Sequence, residues 1–445
     1  IALHHLFDSP NDELLFDTGH IGYTHKLLTG RKEMFPSLNT YGGMNRFLTP
    51  QESEHDIIEA SHAGTAISIG LGIALAKKLE KSDKYVVAVV GDAAMAEGSN
   101  WEALNHAIVE KTNLITIIND NNFAISPGFG GLHNMFESDS DKTRSFFESL
   151  NMNYIGKVDG HNIQEIIDAL NLAKDSKLPP IIHLKTIKGK GWKPADNHPF
   201  RMHFSFPYNP EDGSPKDSTQ AEKTYPDIAA SCISELMREN KKIVCISPST
   251  IYATGLANVF NEFPDRCFDP GMEEQHALSM TVGFSLKGYL PIIAYQSTFL
   301  QRAFDQLLHD VCFSNLPTII ISTRSGFSGY DNPTHHGLYD ISYMQSLPNL
   351  NVFYPKDGNE LEAMIYGLSK DITGPNLIMM PYGPLDNFKI INDDDDVFQP
   401  ELVRSGDDIL IITVGNKYQN SLKVSKEMNT GLVNLRRLHP LPSKK

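Results

Sequence analysis

Two oxygen-bearing side chains follow two apolar runs at a spacing that could bind a divalent cation. Asp92 comes directly after the apolar run 85–90 and a glycine, and Asn121 lies just past the run 114–118. A segment with apolar residues at helical spacing separates the runs, so strand, helix and strand would bring both side chains to one edge of a parallel sheet. Carboxylate and amide oxygens are ligands that Mg²⁺ prefers, with water, a backbone carbonyl and phosphate oxygens filling the remaining positions. The spacing therefore predicts a Mg²⁺ site on this edge.

Two histidines lie upstream of Asp92 in segments that could bind a ligand. His20 lies at the tip of a glycine-rich loop, and His62 belongs to residues 61–64, directly before the predicted helix 65–78. Backbone N–H groups at a helix N-terminus form an anion site, so we expect residues 61–64 to bind an anion or a cofactor. A Gly-Asp pair after a strand, or a single histidine, is usually structural. The Gly-Asp pair that contains Asp92, together with His20 and His62, favours a binding site.

The composition narrows the class of protein. A length of 445 residues suggests two or three domains, and 40% hydrophobic with 21% charged residues is typical of a globular protein. The net charge of −15 argues against nucleic acid or an anionic membrane as a partner, since both need a basic face. The four cysteines form no CxxC motif, which favours a reducing compartment and argues against a metal cluster. No apolar run reaches 18 residues, so we expect no membrane span.

Apolar runs and helical segments alternate along the chain, which is typical of an α/β fold. We expect successive doubly wound, mostly parallel sheets with helices on both faces. Residues 1–206 form the first predicted domain, residues 207–224 a linker rich in Pro, Asp, Ser and Gly, and residues 225–390 a second domain. Residues 391–445 begin a third α/β unit that looks truncated, and residues 127–144 are predicted to be a surface loop.

With Asp92 and Asn121 assigned, the remaining motifs resemble a single family, the 1-deoxy-D-xylulose-5-phosphate synthases, which are relatives of transketolase. The Gly-Asp and Asn-Asn pairs are similar to the diphosphate-binding motif of thiamine diphosphate enzymes, with Ala93 where the family has glycine. This alanine requires a negative φ or a small strain in the turn. The other matching stretches are DTGH at 17–20 with HKLLTGR at 25–31, YIGKVDGH at 154–161, FDPGMEEQHA at 268–277 and STFLQRAFDQ at 297–306.

The resemblance covers nearly the whole chain and implies a transketolase-like, thiamine diphosphate-binding fold. It implies a three-domain homodimer that binds thiamine diphosphate and Mg²⁺. The implied reaction decarboxylates pyruvate and joins the two-carbon unit to D-glyceraldehyde 3-phosphate, giving 1-deoxy-D-xylulose 5-phosphate. Expected partners are these small-molecule substrates and a second copy of the chain, without nucleic acid or membrane. The expected location is the cytoplasm, or a plastid-type organelle if a transit segment precedes Ile1.

The resemblance also implies roles for individual residues. Glu274 would hydrogen-bond the aminopyrimidine ring of the cofactor so that this ring removes the thiazolium proton, and we expect burial to raise the pKa of Glu274. His20, with His203 and His335, would transfer protons on the donor and acceptor oxygens. The implied cofactor-binding residues are His20, Ser61, His62, Ala63, Asp92, Ala93, Ala94, Asn121, Trp192, Glu274 and Phe299. The implied metal ligands are Asp92, Asn121 and the Phe123 carbonyl, and the implied acceptor residues are Arg302, Arg324, Asp331 and His335.

Besides Ala93, three residues depart from the family pattern. Trp192 replaces a tyrosine against the cofactor, which is a conservative change. Gln296 replaces a tyrosine in the acceptor pocket, and Tyr382 replaces an arginine that grips the acceptor phosphate. The cofactor chemistry is therefore expected to be intact, whereas the sequence leaves the identity of the acceptor substrate undetermined. Alternatives are a transketolase-like enzyme with a different acceptor aldehyde or, less favoured, a cofactor-binding pseudoenzyme.

Overall fold

A computed structural model describes most of the chain and divides it into two compact units. The described residues are 1–125, 127–198, 201–203, 205, 207–216, 223–328, 332–383, 385, 396–406 and 408–442. Asp331 and the side chain of His20, both predicted site residues, lie outside the described part. Unit 1 comprises Ile1–Ser218 with Gly271–Glu273, and unit 2 comprises Thr219–Pro270 with Glu274–Lys445. The division into three domains stays a prediction.

Unit 1 is built around a parallel sheet with helices on both faces. Its strands are β1 (Glu13–Phe16), β2 (Val86–Gly91), β3 (Leu114–Asp120), β4 (Asn153–Asp159) and β5 (Pro180–Lys185). They follow the order β1-β2-β3-β5-β4, and every pair is parallel. Its α-helices are α1 (Ala2–Leu6), α2 (Tyr23–Leu28), α3 (Ala66–Leu79), α4 (Gly98–Glu110), α5 (Gly131–Glu137), α6 (Ser140–Ser149), α7 (Ile163–Lys174) and α8 (Lys193–Asp196).

The central strands of unit 1 are buried on both faces, as their uninterrupted apolar sequence predicts. Val86, Ala88 and Val90 of β2 pack in one core with residues of α3 and α4. Val87 and Val89 of the same strand pack in a second core with residues of α1 and α7. Because alternate side chains of a strand point to opposite faces, one apolar run fills both cores. The carboxyl ends of β2, β3 and β5 consequently lie side by side at one edge.

The prediction of a loop at residues 127–144 is wrong, because α5 and the first half of α6 lie in this range. The Asp139 side chain accepts the backbone N–H of Asp141 and caps the start of α6. Phe136 and Phe147 are buried in the core of unit 1. The glycines and acidic residues of this segment resemble loop composition, but a few buried aromatic side chains are enough to dock a surface helix.

Unit 2 contains a larger sheet and a small second one. Its strands are β6 (Ile243–Ile246), β7 (Cys267–Phe268), β8 (Leu290–Gln296), β9 (Thr318–Ser325), β10 (Asn351–Phe353), β11 (Pro375–Pro381), β12 (Glu401–Arg404), β13 (Leu410–Thr413), β14 (Gly431–Asn434) and β15 (Arg437–His439). Its α-helices are α9 (Tyr225–Glu239), α10 (Ala257–Glu262), α11 (Glu274–Leu286), α12 (Ser297–Leu300), α13 (Asp340–Met344), α14 (Gly358–Lys370) and α15 (Tyr418–Glu427). A π-helix spans Gln306–Cys312.

The larger sheet of unit 2 is parallel except at one edge. Its order is β15-β10-β11-β9-β8-β6-β7, and only β15 pairs in the antiparallel sense. The small sheet has the order β12-β14-β13 with one antiparallel and one parallel pair. Two parallel-dominated sheets with helices on both faces confirm the predicted α/β class. None of the described helices is both long enough and apolar enough to cross a bilayer.

Candidate active site

Asp92 and Asn121 lie at the same edge of the unit 1 sheet because β2 and β3 pair in parallel. The register places Gly91 opposite Asn119, so both strands end together. The Asp92 N–H donates to the Asn119 carbonyl at 3.3 Å. The Asp92 carboxylate in turn accepts backbone N–H groups, including those of Asn121 and Ala93. We call Asp92, Asn121, Phe123 and Lys188 the unit 1 rim.

The two carboxylates at this edge have opposite electrostatic environments. Burial and the negative charge of Asp120 raise the pKa of Asp92 to about 7. Burial also opposes ionisation of Asp120, but hydrogen bonds from His183 and Lys185 lower its pKa. The His183 Nε2 and Lys185 Nζ atoms lie 2.8 and 3.0 Å from Asp120 Oδ2. Asp120 is therefore neutralised within the protein, whereas Asp92 is the carboxylate that a bound cation would stabilise.

The turn after β3 arranges the other two predicted ligands. Asn122 has a φ of +68°, in the left-handed region, and this reverses the chain beyond Asn121. The Asn121 Oδ1 atom accepts the Phe123 N–H at 3.1 Å, which fixes the side chain. An amide oxygen has a second lone pair, so this contact leaves capacity for a cation. A buried carboxylate, an amide oxygen and a backbone carbonyl on one edge fit a hard divalent cation.

Lys188 belongs to the unit 1 rim and was not among the predicted site residues. It follows β5, whose residue Lys185 pairs with Asp120 of β3. Burial lowers the pKa of Lys188 to about 8, and the charge of Asp92 opposes this effect. The Lys188 Nζ atom lies 2.8 Å from His203 Nδ1 and donates to the Ala124 carbonyl at 2.5 Å. A lysine three residues past a buried strand, in a glycine-punctuated basic loop, is the sequence signal that could have identified it.

Ala93 is accommodated at the position where the family has glycine. Its φ is −67° and its ψ is −37°, an ordinary right-handed conformation. The turn after β2 therefore does not need the positive φ that only glycine adopts freely. Ala94, the next predicted cofactor residue, is buried in the unit 1 core. The departure from the family pattern leaves the backbone of this turn unstrained.

The expected anion site at residues 61–64 needs a correction, because an internal carboxylate occupies part of it. The N–H groups of Gly64, Thr65 and Ala66 donate to the Asp17 carboxylate at 2.8, 3.0 and 2.9 Å. The first turn of α3 is therefore satisfied by the protein itself. The Gly19 N–H also donates to the Ala60 carbonyl at 2.6 Å. These contacts hold the loop that carries His20 beside the predicted residues Ser61, His62 and Ala63.

The stretch HKLLTGR, which resembles part of the family's first cofactor loop, forms a buried ion network. Lys26 is fully buried and its Nζ atom lies 2.5 Å from Glu52 Oε2. Arg31 donates to both carboxylate oxygens of Asp56, at 2.5 and 2.7 Å. Burial alone would raise the pKa of Asp56, but hydrogen bonds from His25 and Arg31 lower it to about 2. This motif anchors α2 to residues 45–56.

Trp192 lies in the segment between β5 and residue 216. Its indole N–H donates to the Pro210 carbonyl at 2.9 Å, and its ring lies 5.0 Å from the ring of Tyr208. These contacts fix the orientation of the indole against the neighbouring loop. A cofactor contact by Trp192 stays a prediction.

Unit 2 carries a second row of polar residues at the carboxyl ends of three adjacent strands. Gln296 of β8 pairs with Thr323 of β9, and Pro381 of β11 pairs with Ser325 of β9. Gln296, Arg324 and Tyr382 are consequently neighbours along one edge, and we call them the unit 2 rim. Among the described residues, the buried Oε1 atom of Gln296 has no hydrogen-bond partner. A buried amide oxygen without a donor is costly, and a bound ligand could supply one.

Glu274 is the first residue of α11 and is buried in unit 2, with 5% of its surface exposed. Its carbonyl accepts the Tyr295 hydroxyl at 2.9 Å, and its Oε2 atom lies 3.8 Å from Arg302 Nη1. Phe299 and His335 pack edge to face with their ring centroids 5.6 Å apart. The structure therefore places Glu274 beside Arg302, and Phe299 beside His335.

Asp340 connects the loops that carry these residues. Its carboxylate is 2% exposed and accepts the hydroxyls of Ser297 and Ser325 at 2.5 and 3.2 Å. Burial raises the pKa of Asp340, and the serine hydroxyls oppose this effect. Ser297 begins the helix with Phe299, and Ser325 follows Arg324. Sequence reasoning missed this residue because a single aspartate at the start of a short helix has no distinctive pattern.

Sequence models of two families match the chain. The 1-deoxy-D-xylulose-5-phosphate synthase model matches residues 1–145 and 138–186, and the model of the transketolase pyrimidine binding domain matches residues 221–385. The 1-deoxy-D-xylulose-5-phosphate synthase of Natranaerobius thermophilus is 37% identical over 467 residues, which cover 96% of this chain and 74% of that protein. The chain belongs to the 1-deoxy-D-xylulose-5-phosphate synthase family. The synthase of Desulfotalea psychrophila is 35% identical, covering 99% of this chain and 76% of that protein.

Transketolases are found among the similar solved structures. The Campylobacter jejuni transketolase is 19% identical with a TM-score of 0.43, covering 98% of this chain and 82% of that one. A Pichia stipitis transketolase complex with sedoheptulose 7-phosphate is 17% identical with a TM-score of 0.46, covering 96% and 78%. The family membership, shown by the sequence model and by the two similar synthases, makes this chain a transferase of the transketolase type.

Proposed function

We propose that the protein uses thiamine diphosphate and Mg²⁺ to decarboxylate pyruvate and to join the two-carbon unit to D-glyceraldehyde 3-phosphate, giving 1-deoxy-D-xylulose 5-phosphate. The observation that carries this proposal is the unit 1 rim. A buried carboxylate with a raised pKa lies next to an amide oxygen, and a partly buried lysine, Lys188, lies close enough to Asp92 to interact with its charge. This combination suits a metal ion with a diphosphate group. The family membership supplies the reaction.

In this proposal Asp92, Asn121 and the Phe123 carbonyl hold Mg²⁺, and Lys188 donates to a diphosphate oxygen. The thiamine group, when bound, supplies the carbon that receives the two-carbon unit of pyruvate. Asp17 keeps the His20 loop beside Ser61, His62 and Ala63, where these residues would line the cofactor.

Unit 2 would supply the acid–base and acceptor groups. Glu274 would hold a proton on the pyrimidine ring, with Phe299 as the apolar wall behind that ring. By the resemblance, His20, His203 and His335 would donate and accept protons on the substrate oxygens. Arg302, Arg324 and Asp331 would bind the acceptor. Asp331 lies outside the described residues, so its role rests on the resemblance alone.

The reaction can be tested directly by product analysis. The full chain with thiamine diphosphate, Mg²⁺, [2,3-¹³C]pyruvate and D-glyceraldehyde 3-phosphate should give a pentulose phosphate that carries two labelled carbons. A labelled product that forms only with another aldehyde would favour the alternative of a different acceptor. Cofactor binding without pyruvate consumption for any aldehyde tested would favour the pseudoenzyme and contradict the proposal.

We further propose that the protein acts as a homodimer, as the family resemblance implies. Light scattering should give a mass near twice 49.6 kDa. A monomeric mass for the active protein would contradict this part of the proposal.

A further inference from the structure

Arg324 and Tyr382 contact each other at the edge of the unit 2 sheet. The guanidinium carbon of Arg324 lies 5.4 Å from the centroid of the Tyr382 ring. This distance is within the range of a cation–π contact, which for arginine combines electrostatic attraction with flat stacking. The position of Tyr382 is the one at which the family has an arginine. The Tyr382 ring therefore stabilises the guanidinium of Arg324, whereas the family pattern would place a second guanidinium at position 382.

The pairing of β9 with β11 places Arg324 and Tyr382 close together. Pro381 is opposite Ser325 in the ladder between β11 and β9, so Tyr382 and Arg324 each lie one residue from a paired position. Both side chains are partly buried, which strengthens a cation–π contact relative to an exposed one.

The main chain of Arg324 is held in a conformation that it would not adopt alone. Its φ is +59°, in the left-handed region that L side chains disfavour. Ser325 is fixed by the Asp340 carboxylate, and the N–H of Gly326 donates to the Gly337 carbonyl at 2.8 Å. Residues held in such a conformation by several contacts are concentrated at functional sites. The direction of the Arg324 side chain is therefore set by its surroundings.

We infer that Tyr382 is a positioning residue that holds Arg324 as the binding group for an anionic acceptor. This inference rests on the proposed function and deepens it, because it assigns the residue that orients one group of the acceptor site. The acceptor is an aldehyde with a phosphate, whose charge is bound by one guanidinium that is stacked on an aromatic ring. The face of the Tyr382 ring carries this role, and its hydroxyl does not.

Two substitutions at Tyr382 separate the ring from the hydroxyl. Tyr382→Phe keeps the ring, and Tyr382→Leu removes it while retaining an apolar side chain. The readout is the ratio of kcat/KM for D-glyceraldehyde 3-phosphate to kcat/KM for D-glyceraldehyde. Because both values come from one protein sample, partial misfolding and changes in the donor steps cancel. Tyr382→Leu should lower the ratio about 5- to 30-fold through KM, the equivalent of a cation–π contact of about 1–2 kcal/mol. Tyr382→Phe should lower it by less than about threefold.

Binding of a non-reactive probe makes the inference independent of turnover. Glycerol 3-phosphate should bind the wild-type chain, as measured by calorimetry, and Tyr382→Leu should weaken it by the same factor as it lowers the ratio. If wild type converts no aldehyde but shows this Tyr382-dependent binding, the proposed function fails and the inference stands. A ratio and a probe affinity that Tyr382→Leu leaves unchanged would overturn the inference. An equal loss in Tyr382→Phe would also overturn it, because the hydroxyl would then be the binding group.

Discussion

The unit 1 rim and the unit 2 rim are both rows of polar residues at the carboxyl ends of parallel strands, but they differ in what fixes their chemistry. On the unit 1 rim, strand register, an Asn122 turn and backbone N–H groups position the oxygen ligands. The departure from the family at Ala93 is absorbed because its φ is negative. On the unit 2 rim, side-chain identity decides the chemistry, and Gln296 and Tyr382 both differ from the family residues.

This difference implies that substitutions should affect the two rims unequally. A ligand set that depends on the backbone tolerates substitution at neighbouring positions, because the main chain keeps its course. A binding site that depends on side-chain groups can change the ligand that it binds after a single substitution. We therefore expect the largest mutational effects at groups that handle the cofactor, and smaller, substrate-dependent effects on the unit 2 rim.

The largest effect is expected from Glu274→Gln. The amide has the same shape but cannot hold a carboxyl proton against the pyrimidine ring, so kcat should fall about 10²- to 10⁴-fold while cofactor affinity changes little. Glu273→Gln is the matched control, since it changes the adjacent glutamate and should stay within about threefold of wild type. Steady-state rates with either aldehyde provide the measurement. A Glu274→Gln rate within about tenfold of wild type would remove Glu274 from this role.

The next effect is expected from Asp92→Asn, which removes the carboxylate that a cation would stabilise. At cofactor concentrations near 100 times Kd, thiamine diphosphate with Mg²⁺ should stabilise wild type by about 2.7 kcal/mol. We expect the cofactor to give no such stabilisation in Asp92→Asn. Thermal unfolding with and without the cofactor and Mg²⁺ measures this difference. Asp83→Asn is a suitable control because Asp83 is exposed near the opposite end of β2. Stabilisation that survives Asp92→Asn but is lost with EDTA would show that the metal lies elsewhere, and stabilisation of wild type that survives EDTA would show that cofactor binding needs no metal.

A smaller loss is expected from Lys188→Met. A hydrogen bond to a charged group contributes about 1.5–3 kcal/mol, so cofactor affinity should fall about 10- to 100-fold and depend less on salt. Lys190→Met provides the control, since Lys190 is exposed in the same loop. Calorimetric titration with cofactor and Mg²⁺ measures both. Equal losses of cofactor affinity in the two variants would mean that the loop attracts the cofactor through its total positive charge and not through a hydrogen bond from Lys188.

The smallest effect is expected from Gln296→Met on the unit 2 rim. Replacing a buried amide oxygen that has no donor among the described residues should raise the free energy of unfolding by about 1 kcal/mol. If the acceptor supplies that donor, its kcat/KM should fall about two- to fivefold in the same variant. Denaturant unfolding and acceptor kinetics measure the two quantities. A variant that is less stable and equally active would contradict this account of Gln296.

The sequence could predict the elements that are fixed by local pattern. The apolar run before Asp92 predicted a strand, and the alternation of such runs with helical segments predicted the α/β class, because buried parallel strands need uninterrupted apolar residues. The helices α5 and α6, which begin within residues 127–144, were missed because their few buried aromatic residues lie among glycines and acidic residues.

Contacts between distant parts of the chain were beyond sequence reasoning. The Asp17 cap on α3 joins residues 47 positions apart. Nothing in the local pattern around either residue indicates this pairing, and it changed the interpretation of residues 61–64. The Arg324–Tyr382 contact likewise depends on the register between β9 and β11, which only the folded sheet defines.

We propose that the protein keeps the thiamine diphosphate chemistry and binds the acceptor phosphate with one guanidinium, that of Arg324, where the family resemblance would add a second one at position 382. Release of ¹³CO₂ from [1-¹³C]pyruvate, measured with D-glyceraldehyde 3-phosphate and with D-glyceraldehyde, tests both parts at once. We predict release that requires thiamine diphosphate and Mg²⁺ with either aldehyde, with a preference for the phosphorylated one below about 10³-fold. No release with either aldehyde, or a preference above that value, would contradict the account.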